Sequence, residues 1–89
     1  MTSGENIIYD LYTKGNCAFC TKAKALLEEK NIMYREFIVG VNVTREEVLR
    51  KFPDQTMVPI IVADNGVTIG GYDKLYERIV TNGAKLLQG

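Results

Sequence analysis

Two cysteines, Cys17 and Cys20, are the residues in this chain best suited to covalent chemistry. They are its only cysteines, and just two residues, Ala18 and Phe19, separate them. A Cys-x-x-Cys pair between a strand and a helix is a redox spacing, because one helical turn brings the second sulfur back beside the first. With Cys17 at the N-cap or first turn, unpaired backbone N–H groups and the positive end of the helix dipole favour its thiolate. A free thiol has a pKa of ~8.5, and this setting commonly lowers it to ~3.5–7.5. Cys17 is then the attacking sulfur. Cys20, one turn inside, is the resolving thiol that attacks a mixed disulfide on Cys17. Lys14 adds positive charge nearby, although a solvated surface lysine is the ordinary reading. Zinc is the competing use of paired cysteines, but it wants four ligands, and the chain has no histidine and no second pair. No metal is therefore expected.

Two further segments can serve the same site. Val58-Pro59 stands at the start of an apolar run. A cis bond there would turn the Val58 backbone outward to pair with a peptide-like ligand, although locally an X-Pro bond is usually trans. Gly70-Gly71-Tyr72-Asp73 stands at a strand-to-helix junction. Its glycines admit a ligand close to the backbone, and the helix start attracts a carboxylate. Asp73 either holds a ligand ammonium or caps its own helix, and Tyr72 is either core or platform. Gln55 carries no signal of its own.

The elements that position these residues follow from the pattern. Residues 7–13, Ile-Ile-Tyr-Asp-Leu-Tyr-Thr, predict a strand. Lys14-Gly15-Asn16 breaks it, and residues 17–30 predict a helix with Cys20, Ala23, Leu26 and Leu27 facing inward and Asn31 as its stop. Residues 32–39 are the next extended segment, which implies a right-handed βαβ unit. Thr44 to Glu47 forms a capping box for a short helix ending at Lys51 or Phe52, before Pro53. Residues 60–63 and 67–69 flank Asp64-Asn65-Gly66, a hairpin signal. Gly70-Gly71 ends the second strand. A third helix is expected from Tyr72 to about Val80, with Leu75, Tyr76, Ile79 and Val80 on one face and Asn82-Gly83 as its end. Residues 1–6 are expected to be loosely ordered, and the tail 84–89 to be either a further turn or frayed. The order is β-α-β-α-β-β-α: a four-stranded mixed sheet with three helices, in one α/β domain spanning residues 1–89.

Bulk composition narrows the function. The 89 residues suffice for one domain, and a 46% hydrophobic fraction supports a small packed core. Basic and acidic residues balance at 11 each, which gives no electrostatic case for nucleic acid or an anionic membrane. Met1 to Asn6 lacks a basic leader, and no apolar run approaches the ~20 residues of a membrane span. The expectation is a cytoplasmic protein with reduced thiols.

Together these segments resemble the glutaredoxin family over residues 7–79. Tyr12-Thr13-Lys14-x-x-Cys17-x-x-Cys20 is similar to its strand and active-site segment, Ala23-Lys24-Ala25-Leu26-Leu27 to its first helix, Met57-Val58-Pro59 to its cis-proline segment, and Ile69 to Leu75 to its Gly-Gly turn. The resemblance implies a thioredoxin-like fold and a monomeric glutathione-disulfide oxidoreductase that reduces protein disulfides and glutathione mixed disulfides. It implies that Lys14 pairs with the glycine carboxylate of glutathione and Val58 bonds its cysteine backbone beside Pro59. Gly71, Tyr72 and Asp73 then take the γ-glutamyl end, and Phe19 lines the groove. Two other activities fit the resemblance. One is a redoxin reduced by thioredoxin reductase that serves ribonucleotide reductase. The other is a glutathione-ligated iron–sulfur carrier, since Ala18 replaces the usual proline between the cysteines. Phe19 replaces the usual tyrosine, Met57 a threonine, and Lys74 a second acid near the glutathione amine.

Overall fold

Strand β1 (Ile8–Thr13) is the hub of the domain. In the structure, a computed structural model that describes residues 8–55 and 57–81, β1 lies between two neighbours in a four-stranded sheet of order β2-β1-β3-β4. It runs parallel to β2 (Met33–Ile38), with Leu11 opposite Glu36, and antiparallel to β3 (Ile60–Val62), with Leu11 opposite Ile61. β3 in turn is antiparallel to β4 (Thr68–Gly70). Three helices complete the order: α1 (Ala18–Glu29), α2 (Arg45–Lys51) and α3 (Tyr72–Tyr76), the last continued by a π-helical turn over Glu77–Thr81. The expected β-α-β-α-β-β-α arrangement of a thioredoxin-like domain is the one observed.

The sheet is covered on both faces. Because successive strand residues point to opposite sides, Leu11 and Tyr12 serve different cores. Leu11 packs with Ala23, Leu26 and Leu27 of α1, Ile61 of β3 and Leu75 of α3. Tyr12 packs with Ile60 and with Val48 and Phe52 from α2 and its C-terminus. The inward face expected for α1 is the buried one: Cys20, Ala23, Leu26 and Leu27. Removing a side chain such as Leu27 costs about 2–5 kcal/mol in a core of this kind.

Local chemistry sets the helix ends. Asn31 takes a left-handed conformation (φ 59°). The Asn31 N–H donates to the Glu28 carbonyl and the Ile32 N–H to the Leu27 carbonyl, which closes α1 as a Schellman motif. At α2 the Glu47 N–H donates to Thr44 Oγ1 at 3.0 Å, and the Thr44 N–H donates to Glu47 Oε1 at 2.7 Å, the capping box expected from sequence.

The expected hairpin forms, in a turn with its own detail, and one expectation, for the third helix, needs correction. In the hairpin only Gly66 has positive φ (87°); Asn65 acts through its side chain, which accepts the Val67 N–H at 3.1 Å. The third helix does not run uniformly to Val80. It widens into a π turn after Tyr76, so the face rotates: Leu75 is buried and Ile79 and Val80 pack on the core, but Tyr76 is 47% exposed. The expectations for Ile7, for residues 1–6 and for residues 82–89 fall outside the described residues.

This topology gathers the chemically distinctive segments at one end of the sheet. The C-terminal end of β1 leads into Lys14 and Cys17. Antiparallel pairing sets the N-terminal end of β3, with Val58-Pro59, beside it, Tyr12 lying opposite Ile60. The same pairing on the other side brings the C-terminal end of β4, with Gly70, opposite Ile61. Segments more than 40 residues apart in sequence therefore meet, as the approach of Cys17 to Val58 across 41 positions shows.

Candidate active site

Cys17 is the N-cap of α1. Its backbone is extended (φ −119°, ψ 107°), and its Sγ accepts the Cys20 N–H at 3.2 Å. The sulfur thus occupies the position where a side-chain oxygen usually caps a helix. A thiolate there receives the same N–H as a charge-assisted bond, in addition to the helix dipole, and both favour the anion. No acidic residue lies in the first turn of α1 to oppose it. Thr21 secures the turn from below, its N–H donating to the Cys17 carbonyl at 3.1 Å and its hydroxyl at 3.2 Å.

The two cysteines are joined as a disulfide, with Cα atoms 5.2 Å apart. Their exposures differ in the sense that the exchange chemistry needs. Cys17 is half-buried at the mouth of the site, whereas Cys20 is 2% exposed. Of the two sulfurs, that of Cys17 is the one open to an incoming group.

The Val58–Pro59 peptide bond is cis, as the family resemblance implied and the local base rate did not. The Val58 carbonyl oxygen lies 4.0 Å from Cys17 Sγ. From this point two grooves open. The first, about 320 Å³, brings together Phe19, Val58, Pro59, Gly71, Tyr72 and Asp73, six of the residues singled out from sequence. The Phe19 ring is 55% exposed, with Lys22 Nζ 5.1 Å from its centroid and the Tyr72 ring 5.9 Å away. Tyr72 is half-buried and packs against both the core and Phe19, so it is core and platform at once.

Lys14 stands apart from that groove. It lines a second one, about 310 Å³, on the α2 side, together with Arg45, Val48 and Leu49. Gln55, Met57 and Val58 border both grooves and join them into one trough beside the dithiol. The two cysteines line a third recess, which Lys14 shares with Lys24 and Glu36. Asp54 and Arg45 are charged lining residues that sequence reasoning missed, Gln55 lines both grooves although it carried no signal of its own, and Met57 entered only as part of the proline segment. Asp54 to Met57 immediately precede the proline station, which is the signal that could have found them. Arg45 had none, since it belongs to a different element.

At the Gly-Gly turn, α3 is capped by Gly71 with no side-chain hydrogen bond, so Asp73 does not cap the helix. Asp73 instead lines the first groove with Asp54. Lys74, the departure that put the grip on an amine in question, packs elsewhere. A Cβ on Gly70 would meet Lys74 Cγ at 3.1 Å, so the lysine stem covers Gly70, and Lys74 does not line the groove.

A polar cluster lies on the other flank of the dithiol. The buried Thr13 hydroxyl donates to Glu36 Oε2 at 2.7 Å, and Lys24 Nζ donates to the same oxygen at 3.1 Å. The Thr13 hydrogen bond holds the Glu36 carboxyl below the usual carboxylate range, and Lys24 adds to this against partial burial. Among the described residues no group of histidine, cysteine and carboxylate side chains is arranged to hold a metal ion.

Fold and dithiol together define a class: thioredoxin-like domains that exchange thiols and disulfides. Within that class the glutaredoxin family profile matches residues 10–68. Glutaredoxin 1 of Rickettsia felis is 43% identical over 70 residues, which cover 75% of this chain and 67% of the relative. Glutaredoxin 3 of Escherichia coli K12 is 39% identical over 67 residues, covering 75% and 80% respectively. The crystal structure of glutaredoxin 1 from Francisella tularensis complexed with cacodylate matches with a TM-score of 0.66 at 27% identity, over 93% of this chain and 99% of that one. The chain belongs to the glutaredoxin family, and its Cys17–Cys20 pair is that of a thiol–disulfide oxidoreductase. Among the described residues no helix is long and apolar enough to cross a membrane.

Proposed function

We propose that this protein is a glutathione-dependent reductase of protein disulfides and glutathione mixed disulfides, acting in the cytoplasm as a monomer. The observation that carries the reading is the charge division of the trough at Val58. Asp54 and Asp73 line one side with no lysine or arginine, and Lys14 and Arg45 line the other with no carboxylate. Glutathione has a matching polarity, with an ammonium at its γ-glutamyl end and a lone carboxylate at its glycine end. In this reading the glycine carboxylate pairs with Lys14, and the cysteine backbone bonds Val58 beside Pro59. The γ-glutamyl carboxylate takes the N–H groups of Tyr72 and Asp73 next to Gly71, the ammonium takes the Asp73 side chain, and Phe19 covers the groove.

The chemistry balances without a cofactor bound to the protein. The Cys17 thiolate attacks the glutathione sulfur of a mixed disulfide; a Cys17–glutathione bond forms, and the substrate leaves as a thiolate that takes a proton from water. A second glutathione thiolate then attacks that sulfur, returning the Cys17 thiolate and releasing glutathione disulfide. With a protein disulfide, Cys17 forms the mixed disulfide, Cys20 displaces the protein thiolate, and two glutathiones re-reduce the Cys17–Cys20 bond. A low thiolate pKa aids both attack and departure.

The test is turnover of a small glutathione mixed disulfide with glutathione and glutathione reductase. Cys17→Ser should abolish it. Cys20→Ser should retain it while losing reduction of protein disulfides. Turnover sustained by thioredoxin reductase and never by glutathione would overturn the proposal.

A further inference from the structure

Glutathione stops at its glycine carboxylate, but a polypeptide does not. The groove on the α2 side is lined by Lys14 and also by Arg45, the first residue of α2. Its wall also carries open apolar side chains: Leu49 is 43% exposed and Met57 is 77% exposed. Neither Lys14 nor Arg45 takes part in a salt bridge among the described residues. The groove therefore presents a second uncommitted cation besides the one proposed to meet the glycine carboxylate, and it reaches Val58, whose carbonyl oxygen lies 4.0 Å from Cys17 Sγ.

We infer that this protein selects polypeptide substrates whose cysteine is followed, on its C-terminal side, by an acidic residue, and that Arg45 recognises that residue. The inference rests on the glutathione reading above, which sets the chain direction. The γ-glutamyl end lies toward Asp73 and the glycine end toward Lys14, so residues after a substrate cysteine extend along α2. An extended chain advances ~3.3 Å per residue. The residues past the cysteine thus enter the groove that Lys14, Leu49, Met57 and Arg45 line together, where Arg45 is the cation left once Lys14 is engaged. The opposite groove, with Asp54 and Asp73, disfavours acid on the preceding side. Recognition therefore depends on the order of charges along the substrate and not on its net charge.

Two peptides of identical composition test this, one with two lysines before its cysteine and two glutamates after it, the other with the order reversed. Each is prepared as a mixed disulfide with thionitrobenzoate and mixed with the reduced protein. The Cys17 thiolate bonds to the peptide sulfur, and thionitrobenzoate departs with the electron pair as a coloured thiolate; being the more acidic thiol, it is the favoured leaving group. Glutathione–thionitrobenzoate disulfide is the reference. The lysine-first peptide should react about threefold to fivefold faster than its reverse, the range of an exposed ion pair, and the ratio should fall toward one as salt is raised. Arg45→Glu should erase or invert the ratio. Arg50→Glu, the same charge change at an α2 residue that does not line the groove, should leave the ratio intact. Equal rates for the two peptides, or a ratio that survives Arg45→Glu, would overturn the inference while leaving the glutathione reading standing. Reaction of the glutathione reference no faster than free cysteine would bring down that reading and the inference with it.

Discussion

Cys17 illustrates how one residue serves structure and reactivity together. Its sulfur caps α1 through the Cys20 N–H, and the same contact favours the anion that is proposed to attack. Serine would cap the helix equally well, so loss of activity in Cys17→Ser, with helix content unchanged by circular dichroism, would locate the effect in nucleophilicity. Glu36 is a second residue with a readable electrostatic role. The Thr13 hydroxyl and then Lys24 hold its folded-state pKa below the ordinary value of 4.5, so the folded protein binds its proton less readily than the unfolded chain does. The resulting stabilisation is complete above the unfolded pKa and is lost as pH falls through the lower folded value. Glu36→Gln keeps an oxygen for Thr13 but loses the charge facing Lys24. It should lower stability by about 1 kcal/mol at neutral pH, and the difference from the parent should close under acid. Urea midpoints of both proteins at pH 7 and pH 3 measure this; a gap unchanged at pH 3 would mean that the carboxylate plays no such part.

At the scale of elements, the Gly-Gly turn divides its labour between two glycines that look equivalent in sequence. Gly70 closes β4 at φ 121°, a conformation that side chains rarely adopt, and a Cβ there would press on Lys74 Cγ at 3.1 Å. Gly71 has φ −88°, and a Cβ would meet nothing closer than the Pro59 carbonyl oxygen at 3.7 Å. Gly70→Ala should therefore cost about 1–3 kcal/mol of stability. Gly71→Ala should fold almost normally and act, if anywhere, on ligand binding at the groove it borders. Thermal melts beside glutathione KM values separate the two effects. The elements themselves were legible because their signals are local: Asn31 as a left-handed stop, Thr44 with Glu47 as a capping box, and the inward spacing of α1. The π turn after Tyr76 was not legible, since the residues there suit an α-helix equally well and packing of Ile79 and Val80 on the core accompanies the wider turn. The cis state of Val58-Pro59 was equally hidden from local sequence and entered only through the family resemblance. Arg45 and Asp54 escaped notice because what makes them noteworthy is the company that tertiary structure gives them.

The whole molecule adds what no element holds alone, a trough whose two ends differ in charge although the chain as a whole carries none: 11 basic and 11 acidic residues cancel. The antiparallel pairing of β1, β3 and β4 produces the division by bringing α1, the proline station and the Gly-Gly turn to one edge, with α2 covering the opposite face of the sheet beside them. A net-neutral protein can therefore bind a dipolar ligand in one orientation, and that orientation is open to a double-mutant test. Esterifying the glycine carboxylate of glutathione removes the charge proposed to meet Lys14; Lys14→Ala removes the other member of the pair. Each change alone should raise KM for the glutathionyl substrate by about twofold to fivefold, the range of an exposed ion pair. Because they delete the same interaction, the two together should do little more than either one. Low ionic strength should enlarge the single effects, since screening weakens charges at a solvent-open site. Lys14 is fully outside the core, so Lys14→Ala should leave the melting temperature in place. Independent, multiplying effects of the ester and the substitution would show that the glycine end lies elsewhere, and the direction of peptide binding along α2 would have to be drawn anew.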